Sequence, residues 1–118
     1  MPAAARSAQT LGVMNEPAAQ LAALWEQHRS RPFPRSRPQS ELADVDYFDL
    51  VELDAFVAGH VSRVVKGEKL LSHDLLNLEE LHSRLQIKLR SLSGQTYEYF
   101  NSLATLAKSA IAVSTLRH

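Results

Sequence analysis

Glu79 and His82 stand in a Glu-x-x-His spacing. Residues three apart on a helix share a face, so a carboxylate and an imidazole would point the same way, as in carboxylate-bridged di-metal bundles. Such a centre needs a second copy of the motif and two further glutamates. The matching position before the other candidate, His60, is Val57. The sequence therefore implies no metal and no cofactor. A metal- or small-ligand-binding bundle using His60, His82 and Glu79 stays as the last of three functional alternatives.

His60 and His82 are each the polar break in an apolar stripe. If neighbouring helices brought them together, burial would tune a pH-sensitive polar seam. The plainer outcome is two structural histidines at different heights. Ser72-His73-Asp74 supplies triad residue types, but consecutive residues at a helix start point in different directions. Ser72 as cap and Asp74 in the first turn explain the trio. With no glycine-rich phosphate loop, nucleophile elbow or zinc signature, no catalytic residue is assigned and the chain reads as non-enzymatic.

Binding chemistry concentrates in SRPFPRSRPQS (30–40), where Arg31, Arg35 and Arg37 surround Phe33. Three prolines remove backbone donors and push their predecessors out of the helical region, so this segment is an extended arm. Trp25 and Phe33, isolated aromatics near arginines, are the candidate anchors for a protein partner, with Arg31, Arg35 and Arg37 beside them. The arm also carries the second alternative, a nucleic-acid-associated regulator. The chain as a whole speaks against that, with 13 basic and 13 acidic residues and no net charge. Zero net charge instead mildly favours self-association.

The elements that must position these groups are helices. Leu71, Leu75, Leu78, His82, Leu85, Leu89 and Leu92 follow steps of four and three, a heptad seam on one helix from Ser72 to Ser93-Gly94. Before it, residues 41–66 carry two apolar stripes. One is Leu50, Leu53, Val57, His60 and Val64; the other is Phe48, Val51, Ala55, Ala58, Ser62 and Val65. So broad an apolar arc requires neighbours on two sides. Gly67 suits the C-terminal cap, while Gly59 interrupts the helix at a cost of about 1 kcal/mol and implies close packing or a bend. A last helix, capped at Thr96, runs to about Leu116 and is rich in small residues. The spacing thus predicts an all-α fold: a small antiparallel helical bundle over 41–116, with three long helices. A short amphipathic helix over 15–30, carrying Leu21, Leu24, Trp25 and His28 on one face, precedes it on the Pro/Arg-rich linker 31–40. Residues 1–14 read as a disordered tail, and Met14 is an alternative start.

Charge is uneven along the chain. Residues 1–40 hold five arginines against Glu16 and Glu26, whereas 41–66 hold six acids against Arg63 and Lys66. The absence of cysteine excludes disulfides, thiol nucleophiles and cysteine metal sites. No apolar run approaches the roughly 20 residues of a membrane span, and no secretory leader is evident, so the expected location is the cytoplasm. The expected function is a helical protein–protein interaction or regulatory module that self-associates as a homo-oligomer.

Overall fold

A computed structural model describes residues 2–34 and 44–117, with side chains described for 16–34 and 47–117. Among them the regular structure is entirely helical: α1 (Pro2–Arg29), α2 (Asp44–Val65), α3 (Ser72–Leu89) and α4 (Gly94–Leu116). The all-α expectation holds. The helices lie against one another around one hydrophobic core.

α4 and α2 each touch all three other helices, and α4 contributes the larger set of buried side chains. Its buried residues include Tyr99, Phe100, Leu103, Ala104, Leu106, Ala107, Ala110 and Val113. At 100° per residue they span roughly half the helix circumference. The alanines let neighbours approach closely, while Phe100 and the leucines fill the space between them.

On α3 the buried line is Leu78, Leu81, Leu85 and Leu89, continued by Leu92. This differs from the heptad seam read from spacing. Leu81 takes the inward position assigned to His82, and Leu71 is exposed. Both 81 and 82 are one turn from Leu78, so the rotation of the helix is settled by which neighbour is apolar. The same substitution occurs on α2, where Leu50, Leu53, Val57, Val61 and Val64 are buried and His60 sits beside them. The second stripe turns outward at its start, where Phe48, Val51 and Ala55 are exposed; Ala58 and Ser62 are half-buried and Val65 packs against the core.

Polar contacts between α2 and α3 run in opposite numerical order. Arg63 meets Asp74 at 3.0 Å, His60 meets Asn77 at 3.0 Å, and Asp49 meets Lys88 at 3.0 Å. The turn between them closes in a Schellman geometry. Gly67 N–H donates to Val64 O and Glu68 N–H to Arg63 O, with Gly67 at φ 105°. Leu70 then returns to the core, its N–H donating to Ser114 Oγ at 2.9 Å. Arg117, at the end of α4, donates to Val64 O and Glu68 O and so caps the same helix end.

At the other helix starts, capping differs from expectation. Ser72 and Thr96 lie inside the first turns of α3 and α4, and the N-cap positions Leu71 and Ser93 make no side-chain cap bond. Gly94 does take the left-handed conformation, φ 59°, but as the first residue of α4. α1 is continuous from Pro2 through Pro17, whereas the spacing opens this helix at Asn15. The alanines at 3–5 and 8 favour helix, and Pro17 costs the hydrogen bond that its nitrogen would donate.

Gly67 has open space around it, so only its backbone conformation resists a side chain. Gly67→Ala is expected to cost about 1–2 kcal/mol, read as a lower urea midpoint with an unchanged slope.

Candidate functional site

Phe33, held between Pro32 and Pro34 just after α1, turns back onto the bundle. Its ring meets Tyr99 edge-on at 5.2 Å, Phe100 at 5.9 Å and Tyr47 at 6.4 Å. Trp25 is half-buried against the core, as are Ala18 and Leu24, and Leu21 is fully buried. The two aromatics expected to anchor a partner thus pack within the chain. Arg31 is exposed; Arg35 and Arg37 lie outside the described residues.

The same junction buries His28, which is only 4% exposed. Its Nδ1 is 2.8 Å from Ser102 Oγ and its ring lies 4.6 Å from that of Tyr99. Tyr99 in turn donates its hydroxyl to Asp54 Oδ1 at 2.7 Å. Two hydrogen bonds, His28–Ser102 and Tyr99–Asp54, linked by the ring contact of His28 with Tyr99, therefore join α1, α4 and α2. Burial holds the His28 imidazole below its ordinary pKa; Asp54 opposes this and Arg31 adds to it. Burial also raises Tyr99, and the Asp54 carboxylate raises it further, so the phenol stays protonated. His28 Nε2 is buried with no hydrogen-bond partner among the described residues. A proton placed there would be a buried, unpaired charge.

Beside these contacts runs an open groove of about 350 Å³ between α1 and α4, lined by Leu24, Gln27, Arg31, Tyr97, Asn101 and Ser102 among others. A serine hydroxyl within hydrogen-bond reach of a neutral imidazole is the beginning of a nucleophile–base pair. The remaining parts are otherwise engaged. Ser102 lies inside α4, where backbone N–H groups serve the helix, and Asp54, the carboxylate whose charge acts on His28, is held by Tyr99. The arrangement is suited to docking α1, and sequence spacing had marked His28 only as one residue of an amphipathic face.

The other histidines face different neighbours. His60, half-buried at the α2–α3 boundary, accepts from Asn77. Its pKa is lowered by burial, with Asp74 opposing and Arg63 assisting. His82, also half-buried, lies 3.3 Å from Gln86 on its own helix; burial and then the Lys108 charge on α4 lower its pKa. His73 is exposed beside Asp74, which Arg63 holds below the usual carboxylate range through a hydrogen bond. Among the described residues no group of three or more potential ligands gathers around Glu79 and His82 or elsewhere.

Three of the exposed large apolar side chains lie on the outward face of α2. Phe48 is 66% exposed, Phe56 54% and Val51 39%. Ala55 and Gly59 lie open on the same side, and a Cβ built at Gly59 would meet nothing within 4 Å. Gly59 therefore makes no close approach inside this chain. Leu76 and Ile87 on α3 are exposed as well, but singly, which is ordinary for a protein surface.

No family model matches this sequence, and neither a curated protein nor a solved structure is similar to it.

All three shifted histidines are pushed below their ordinary value of 6.5. Between the folded and unfolded pKa values the unfolded chain binds more protons, so stability rises with pH there. Full stability is expected above about pH 6.5, with a loss beginning as pH falls below that. Chemical denaturation from pH 7.5 to 5 measures it. His28→Phe should flatten the decline more than His60→Gln, because His28 is the more deeply buried.

Proposed function

We propose that this chain is a non-enzymatic helical protein–protein interaction or regulatory module, built as an antiparallel bundle, that associates with copies of itself. The reversed order of contacts between α2 and α3, and the short connections on either side of α3, support the antiparallel arrangement. One observation carries the functional reading: α2 fills the core with one face and leaves Phe48, Val51 and Phe56 exposed on the other.

Large apolar side chains left exposed on a helix that is already packed are surplus to folding. Covering them against a protein surface supplies the association energy, at roughly 25 cal/mol per Å² of apolar area buried. Zero net charge leaves little long-range repulsion between copies. Trp25 and Phe33 join this account in a different role from the one the sequence suggests. They secure the end of α1 on the bundle, and Arg31 remains exposed at its edge. Among the described residues no helix is long and apolar enough to cross a membrane. The proposed location is the cytoplasm, a reducing compartment with which the cysteine-free composition is compatible.

Sedimentation equilibrium over a wide concentration range tests this function. A concentration-dependent rise from the 13.2 kDa monomer toward twice that mass is expected. A monomer persisting to about 1 mM, where even an association of about 4 kcal/mol would register, would overturn it.

A further inference from the structure

We infer that the outward face of α2 is a homodimer interface in which two α2 helices cross in opposite directions at Gly59. This rests on the self-association reading and specifies its surface, register and partner, a second copy of the same helix. Phe48, Glu52, Ala55, Gly59, Ser62 and Lys66 follow alternating steps of four and three, so they form one continuous stripe. All are exposed except Ser62, which is half-buried. Val51 and Phe56 flank the stripe on its two sides.

Its pattern is bulk at one end, small residues in the middle and opposite charges about 21 Å apart at 1.5 Å per residue. Glu52 and Lys66 make no ion pair among the described residues. Both are exposed, and Gly59 is midway between them. A twofold axis at Gly59 sets Glu52 of each copy against Lys66 of the other, forming two identical pairs at once. The stripe is therefore complementary to itself when reversed, as an isologous interface requires. A parallel arrangement would set like charges against each other.

The same register places the helix crossing where side chains are smallest. Gly59 meets its own copy; on one side of it Ala55 lies against Ser62 of the second copy, and on the other Phe56 lies along the Arg63 side chain. Arg63 is drawn aside by Asp74 and Glu68 within its own chain, at 3.0 and 3.2 Å. The absent Cβ at Gly59 has no use inside the monomer, where the space around it is open. A glycine in mid-helix weakens the isolated helix, and a second backbone at that point gives it a purpose. Phe48 falls against the turn that follows α2 in the second copy, next to the exposed Leu71.

The test is sedimentation velocity on full-length wild type, Glu52→Lys, Lys66→Glu, the double reversal and Gly59→Leu, with thermal unfolding of each as a check on folding. Each single reversal should weaken the dimer about tenfold, as like charges meet at two symmetric points. The double reversal should regain wild-type affinity to within about threefold, since every facing pair is again opposite in charge. Gly59→Leu should leave a folded monomer, because the added side chain points into open space in the single chain. A wild-type dimer indifferent to Gly59→Leu and to the single reversals, or one not regained by the double reversal, overturns the interface and leaves self-association standing. A wild type that is monomeric throughout, its α2 face open to some other protein, overturns both.

Discussion

The packing of α4 against all three other helices is the constraint on which the rest of this structure depends. One helix must satisfy α1, α2 and α3 over roughly half its circumference. Its composition follows from that demand. Tyr99, Phe100, Leu103 and Leu106 supply volume, and Ala104, Ala107 and Ala110 supply proximity. Two polar devices finish the fit where apolar packing ends. At one end Tyr99 and Ser102 engage Asp54 and His28; at the other, Ser114 and Arg117 engage the backbone of Leu70, Val64 and Glu68. These contacts use groups that would otherwise be buried without partners or left at a helix terminus, so they select one arrangement of the helices as well as adding stability.

α2 also meets all three other helices, but it leaves one side of itself outside the packing. Its inner face is committed to the core through Leu50, Leu53, Val57, Val61 and Val64. Its outer face carries aromatics, small residues and opposed charges that the single chain does not use. A helix with both faces apolar gains no further stability from the second while it stays in water. The proposed self-association would cover this excess with no added segment, which is why the proposal rests on the outward face and not on the α1–α4 groove.

The sequence was informative wherever periodicity or backbone chemistry is local. Apolar spacing locates α2, α3 and α4, Gly67 marks the end of α2, and the double stripe of α2 is legible from periodicity alone. The failures share one physical origin. Leu81 and His82, like Val61 and His60, are adjacent residues on neighbouring parts of a helix surface, and only a packed neighbour decides which turns inward. The destinations of Trp25 and Phe33 depended on Tyr99, Phe100 and Tyr47, all distant along the chain. The His28–Ser102 and Tyr99–Asp54 bonds have no spacing signature because their members come from three helices. Ser72 and Thr96 have the residue types of caps, yet the helices open just before them.

The contact between His28 and Ser102 spans 74 positions along the chain. By comparison, the pairs joining α2 to α3 close much shorter loops, such as the 11 positions between Arg63 and Asp74. Closing a longer loop costs more chain entropy, so the contact that ties α1 to α4 carries a larger closure cost than the one that ties the start of α3 to the end of α2. Part of that cost is shared, because Phe33 also meets Tyr47 on α2, only 14 positions along the chain. The ring cluster around Phe33 thus fastens one helix to its nearest and its most remote neighbour in sequence at a single point.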